Sequence, residues 1–234
     1  MGRPIIVFDL DETIGYFQQL SVFIYALEEV LKKKVSQNEL LQLLDLYQEY
    51  FRPGIFKIFK YILKHKKSKN IKVLIYTNNT GPKSWVYTIK KYIENKIGGN
   101  IFDRMILTWK NMEGVMYEKC RSGYDKKYTD LLKCGRLSKE DNICFLDDTY
   151  YPGMVNKKVF YLNLHGYRND ISYDVMIRRY LNSGLSKGIK DDNLFRTQLI
   201  NYLKQYKEYN NIEKNYLKRN DDALFNKIKL FLKY

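Results

Sequence analysis

The sequence predicts an α/β protein, a three-layer Rossmann-like fold built on a central parallel sheet. Three observations carry that reading. Four short runs, 4–10, 71–77, 142–148 and 157–164, are close to continuous in β-branched, aliphatic and aromatic residues. Strands buried on both faces read this way, whereas strands with one wet face alternate. Amphipathic helical stretches separate the runs, and parallel strands need such crossovers. Three of the runs also end in polar groups: Asp9 and Asp11, then Thr77 and Asn78, then Asp147 and Asp148. Open parallel sheets bind ligands outside the carboxyl ends of their strands.

Taken in order, the first run leads directly into Asp9-Leu10-Asp11-Glu12-Thr13. Residues 20–33 place Leu20, Phe23, Ile24, Leu27, Val30 and Leu31 on one helical face. After a break at Ser36 the pattern resumes through Leu40, Leu41, Leu44, Tyr47 and Phe51. Residues 54–66 set Ile55, Ile58, Phe59 and Ile62 opposite Lys57, Lys60 and Lys64. Helices are also expected over 84–96 and 125–134, the second stopped by Gly135. A basic turn spans 65–72. Beyond Ser183 a loop-like stretch precedes a Tyr- and Lys-rich helix over 194–220 and a last helix over 221–234. The expected organisation is a main domain over 1–185, with a helical insertion over 15–50 whose apolar face packs on the core. A basic helical extension over 186–234, with 11 basic and 6 acidic residues, lies on or beside it.

Composition narrows the function. A hydrophobic share of 45% with 15% aromatics excludes a disordered chain. The 41 basic and 26 acidic residues give a net charge of +15, which favours anionic partners such as phosphopeptides, nucleotides or nucleic acid. Two histidines, His65 and His165, argue against zinc catalysis and histidine triads. Three cysteines without CxxC spacing suggest a reducing, intracellular setting in cytoplasm or nucleus. No apolar run approaches the ~20 residues of a membrane span, so no membrane partner is expected.

The strand-end acids need a counter-charge. Two carboxylates ~4 Å apart repel by about 4 kcal/mol at an effective dielectric near 20. A magnesium ion, which takes hard oxygen ligands, removes the conflict. Asp9, one or both of Asp147 and Asp148, a backbone carbonyl and waters would bind it. Asp9 could then attack phosphorus and form an aspartyl phosphate. Asp11 would protonate the leaving oxygen and later deprotonate water. Thr77 and a lysine would hold the phosphoryl oxygens.

Asp9-Leu10-Asp11-Glu12-Thr13 resembles the DxDxT motif of haloacid dehalogenase superfamily phosphatases. It is most similar to the branch that acts on the C-terminal domain of RNA polymerase II, together with the NLI-interacting-factor-like proteins. Further segments follow in the same order over roughly residues 3–182. Arg52-Pro53-Gly54 resembles that branch's helix opening, Tyr76-Thr77-Asn78 its second motif, and Leu146-Asp147-Asp148 its paired acidic motif. Residues 121–132 resemble the stretch holding the phosphate-binding lysine, with Lys126 at matching spacing and Lys127 its close rival. The resemblance implies Asp9, Asp148 and the Asp11 backbone carbonyl as magnesium ligands, with Asp147 supporting the metal or the lysine. It implies Thr77, Asn78 and Lys126 at the phosphate. It further implies a protein phosphatase acting on phosphoserine, phosphothreonine or phosphotyrosine. A phosphatase for nucleotides or nucleic-acid ends is the enzymatic alternative, and a non-catalytic scaffold in a transcription complex is the other. The helical segment 15–50 departs from the family, which is β-rich there. Arg52 is expected to brace structure through a salt bridge rather than to contact substrate.

Overall fold

The computed structural model describes residues 2–206 and 214–233, with side chains at 2–206 and 222–233. Five strands form one wholly parallel sheet: β1 (Pro4–Phe8), β2 (Lys72–Tyr76), β3 (Arg104–Ile106), β4 (Asn142–Asp147) and β5 (Val159–Asn163). Their spatial order is β3-β2-β1-β4-β5. The four sequence-predicted strands are all present. The fifth, β3, has three residues, of which two are buried, and is too short to leave a periodic signal. The continuous apolar runs are explained by position. Ile5–Phe8 and Ile143–Leu146 are fully buried because β1 and β4 have strands on both sides and layers on both faces. At the edge, β5 buries only Leu162 and leaves Phe160 exposed.

Helices α1 (Gln18–Leu31), α2 (Gln37–Leu46), α3 (Ile55–His65), α4 (Lys83–Ile97), α5 (Tyr128–Gly135), α6 (Tyr173–Leu181), α7 (Asp192–Leu203) and α8 (Lys214–Phe231) complete the described elements. Local chemistry sets several boundaries. The break at Ser36 is the start of α2: its hydroxyl accepts the Glu39 amide while the Glu39 side chain accepts the Ser36 amide, a reciprocal cap. Gly54, at φ 77°, opens α3 in a conformation glycine adopts without strain. Gly135 closes α5 for a packing reason as well, since a Cβ there would lie 2.9 Å from the Leu137 side chain. The helix then stops at Arg136, which takes the left-handed conformation at φ 51°. Helix α6 had no counterpart among the expected elements. The expected helix over 194–220 is represented by α7 and the start of α8; residues 207–213 lie outside the described residues.

The chain forms two compact units, divided differently from the expected 1–185 and 186–234. One comprises Met1–Gly15, Arg52–Tyr167 and Asn215–Tyr234; the other comprises Tyr16–Phe51 and Arg168–Lys214. The first holds the sheet with α3, α4 and α5. The end of the chain packs here too, where Phe225 of α8 meets Tyr61 of α3 edge-on at 5.2 Å. The second is helical and has its own core. Leu20, Phe23 and Leu27 of α1 are buried, and Phe23 packs against Tyr47 and Tyr180 at 5.8 and 6.2 Å. Tyr47 donates its hydroxyl to the Met176 carbonyl at 2.7 Å. Within this unit the apolar faces of the 15–50 insertion find partners in α6 and α7.

The cysteines also depart from expectation. Cys120 and Cys134 form a disulfide across a sequence separation of 14, while Cys144 is free and buried in β4. Closing a loop of that length stabilises a fold by about 3 kcal/mol in the chain-entropy account. The link removes the argument for a reducing compartment from cysteine usage. No helix among the described residues is long and apolar enough to cross a membrane. Thiol titration of the denatured chain should find one reactive group without reductant and three after reduction; three in both cases would exclude the Cys120–Cys134 link.

Candidate functional site

The register of the sheet brings the polar strand ends together. Phe8 lies opposite Ile75 of β2 and Leu146 of β4. Asp9, Thr77 and Asp147 therefore emerge at one edge, beside the point where the chain departs from β1 to opposite sides. Asp9 donates its amide to the Leu146 carbonyl at 2.9 Å, which carries the pairing one residue past the strand.

Carboxylate oxygens of Asp9, Asp147 and Asp148 lie within 4.8 Å of one another. Lys126 joins two of them, with Nζ 2.5 Å from Asp9 Oδ1 and 2.6 Å from Asp147 Oδ2. Lys126 is 1% exposed. Its neighbour Lys127 is exposed and points to the Ser122 hydroxyl at 3.2 Å, so the structure distinguishes the two rivals by position. Asp147 Oδ1 accepts the Thr149 amide at 2.9 Å. Thr13 and Asp148 bond reciprocally: the Thr13 hydroxyl donates to Asp148 Oδ1 at 3.0 Å and accepts the Asp148 amide at 3.1 Å. Asp9 and Asp148 each keep one carboxylate oxygen without a hydrogen bond among the described residues. Asp11 is half-buried, and its Oδ2 accepts from Asn79 Nδ2 at 2.9 Å.

The turn that presents Asp9 and Asp11 is clamped. Glu12 sits at φ 57°, a conformation costing an L-residue roughly 1–2 kcal/mol. Its carbonyl accepts from the Tyr167 amide at 2.7 Å and from Arg52 Nη2 at 2.8 Å. Arg52, 4% exposed, also donates to the carbonyls of Thr13 and His165, both at 2.7 Å. Its bracing role was expected; its use of three backbone carbonyls was not.

Thr77 is fully buried, and its Oγ1 accepts the Asn79 amide at 3.0 Å. Asn78, expected at the phosphate, has both amide ends engaged: Nδ2 donates to the Tyr151 hydroxyl at 3.0 Å, and Oδ1 accepts from Arg121 at 2.7 Å. Asn79 is the residue that reaches Asp11. Arg121 is a bracing group with no counterpart in the sequence reading. It is 3% exposed and donates to the carbonyls of Thr77, Leu107 and Tyr124 at 3.0, 3.0 and 2.8 Å. Arg121 and Lys126 lie in the loop whose ends are joined by the Cys120–Cys134 disulfide. Within that loop Asp130 accepts both the amide and the hydroxyl of Ser122 at 2.8 Å.

One ammonium cannot neutralise four carboxylates. Burial, the largest influence, raises Asp9 above the ordinary carboxylate range against the opposing charge of Lys126, and raises Asp11 to about 6 against Asn79 and Lys126. Burial likewise raises Asp147 and, with the Asp147 charge, Asp148. Burial acts to lower Lys126, but Asp9 and Asp147 outweigh it and hold the ammonium above its ordinary range. The donor set fits a hard divalent cation: clustered carboxylate oxygens, unfilled lone pairs on Asp9 and Asp148, and negative charge in excess of Lys126. No family model, curated protein or solved structure matches this chain.

Lys126→Met should destabilise the fold by about 3–5 kcal/mol, since it strands two buried carboxylates; a urea midpoint unchanged from wild type would contradict the pairing. A pH dependence also follows. Asp11 keeps its proton to about 6 when folded, against 3.8 in the unfolded chain. The folded state therefore binds more protons in this window, and stability measured in EDTA should fall as pH rises from about 4 to about 6. Because Asp11 is half-buried and screened, its share of the loss should be about 1 kcal/mol, and Asp11→Asn should reduce the fall by that share while the raised Asp9, Asp147 and Asp148 keep the remainder.

Proposed function

We propose that this chain is a magnesium-dependent phosphomonoester hydrolase of the haloacid dehalogenase type, acting through an aspartyl phosphate on Asp9. The observation that carries the reading is the clustering of Asp9, Asp147 and Asp148 oxygens within 4.8 Å, with Lys126 against the first two. Asp9 and Asp148, which have oxygens to spare, would hold the metal with the Asp11 backbone carbonyl, while Asp147 orients Lys126. Bound magnesium supplies neutralising charge and Lewis acidity toward the phosphoryl oxygens.

The chain's own residues perform the rest. Lys126 has three ammonium protons, two of them directed at Asp9 and Asp147, which leaves one for a phosphoryl oxygen. The Thr77 hydroxyl offers a second donor there. Asp9 attacks phosphorus; the ester P–O bond breaks, and its electron pair leaves on the alcohol oxygen. Asp11, oriented by Asn79, gives that oxygen a proton. The ionised Asp11 then takes a proton from water, whose oxygen attacks the phosphoaspartate. The P–O bond to Asp9 breaks, releasing inorganic phosphate and restoring the carboxylate. Burial suits Asp11 to this double duty, because a carboxyl near 6 is protonated often enough to donate and ionised often enough to accept.

The substrate class follows from the motif resemblance: a phosphoprotein carrying phosphoserine, phosphothreonine or phosphotyrosine. The net charge of +15 favours a second reading, a phosphorylated nucleotide or nucleic-acid end. Hydrolysis of p-nitrophenyl phosphate should require magnesium, stop in EDTA, and fall at least about 10³-fold in Asp9→Asn, which loses the nucleophile. Inactivity of wild type under every metal condition would leave only a scaffold role. For substrates with poor leaving groups, kcat should fall about tenfold per pH unit above about 6 as Asp11 loses its proton, and Asp11→Asn should remove this limb. A phosphopeptide panel set against 3′-phosphorylated oligonucleotides separates the two substrate classes.

A further inference from the structure

A second site, basic where the first is acidic, lies at the other end of the sheet. Strand β1 spans five residues, so the amino-terminal edge stands about 16 Å from the acids. A cleft of about 800 Å³ opens there. Five cations line it, Arg3, Lys69, Lys157, Lys158 and Lys233, and no acidic residue does. Two of the five have carboxylate partners: Arg3 with Asp141 at 3.3 Å and Lys158 with Glu140 at 3.5 Å. Lys69 donates to the Leu232 carbonyl at 2.7 Å. Lys157 and Lys233 are exposed and have no ion pair among the described residues. Arg3 Nε is buried without an acceptor there. The floor is apolar, and it carries an aromatic pair: Phe160 of β5 and Phe231 of α8 lie parallel, 7° apart, with centroids 6.2 Å apart. Phe160 is 41% exposed, so one ring is presented to solvent.

We propose that this cleft binds a segment of single-stranded nucleic acid. Uncompensated cations beside an exposed ring are the two components such sites combine: the charges follow the phosphates, and the ring accepts a base. Four of the five cations are lysines, compact point charges that suit a phosphodiester backbone; recognition of peptide carboxylates favours the bidentate fork of arginine. The volume is that of a ligand site rather than a packing defect, and accommodates a few nucleotides. The net charge of +15 speeds capture of such a polyanion. The proposal does not rest on the phosphatase reading, since none of these residues belongs to the acidic site.

The test is fluorescence anisotropy of a labelled oligothymidylate of about ten nucleotides, titrated with the full chain in EDTA. Lys157→Glu/Lys233→Glu should weaken binding at least about tenfold and reduce the log–log salt slope by roughly 2. Lys187→Glu/Lys190→Glu, an equal charge change at exposed lysines of the helical unit, should weaken it less than about threefold. Phe160→Ala should cost at least about fivefold on the thymidine oligomer and little on an abasic one. Equal losses from the two double variants would reduce the effect to general electrostatics and overturn the site. So would an unchanged Phe160→Ala, no binding by wild type, or an acidic peptide of equal length displacing the oligomer at equal or lower concentration. Aryl phosphate hydrolysis, followed in parallel, should be the same in all of these variants. A chain that binds the oligomer but turns over no phosphate would refute the enzyme and keep the cleft.

Discussion

The ammonium group of Lys126 lies between the carboxylates of Asp9 and Asp147, with almost no access to water. Two acids meet at this point because the parallel register of β1 and β4, with Phe8 opposite Leu146, sets Asp9 level with Asp147. Without an interposed cation their repulsion would amount to several kcal/mol in such surroundings. The loop carrying Lys126 is accordingly held from several directions. Arg121 ties it to β2 through the Thr77 carbonyl, Asp130 ties Ser122 to α5, and the disulfide joins its beginning to the end of that helix. The ammonium nevertheless balances only part of the local charge. The acids remain elevated in pKa because burial outweighs that partial balance.

Much of this centre was visible in the linear sequence, for identifiable reasons. A strand buried on both faces must be apolar throughout, so the abrupt change at Asp9 and at Asp147 marks both the strand end and the edge where the acids gather. The same logic fails for β3, whose three residues are too few to show a period. It fails also where a residue acts through distant partners. Arg121 is one of 41 basic residues, and nothing local separates it from a solvated arginine. Thr13 belongs to the motif, but its reciprocal bond to Asp148 spans 135 positions. Asn78 and Asn79 are adjacent and identical in chemistry; only the turn after β2 decides that the second faces Asp11. Cysteine spacing carries no pairing information by itself, and the disulfide was misread for that reason.

Segments far apart in the chain share the work of holding the turn that follows β1. Glu12 adopts a backbone conformation that a free peptide would seldom visit. Its carbonyl is fixed from residues 52 and 167, the positions at which the chain enters and leaves the sheet-bearing unit. The long side chain of Arg52 thus links three separate stretches with one planar group, a task for which five fixed donors suit it better than an ammonium.

The central place of β1 has a consequence for biosynthesis. This strand leaves the ribosome before the other four of its sheet, and both of its neighbours come much later: Lys72–Tyr76 on one side and Asn142–Asp147 on the other. At roughly 5–20 residues per second, the nascent chain carries a bare hydrophobic strand for several seconds or more before its second edge can be covered. Such a segment invites capture by chaperones or by other nascent chains, and its brevity, five residues ending in a run of acids, limits how far that misassociation can propagate.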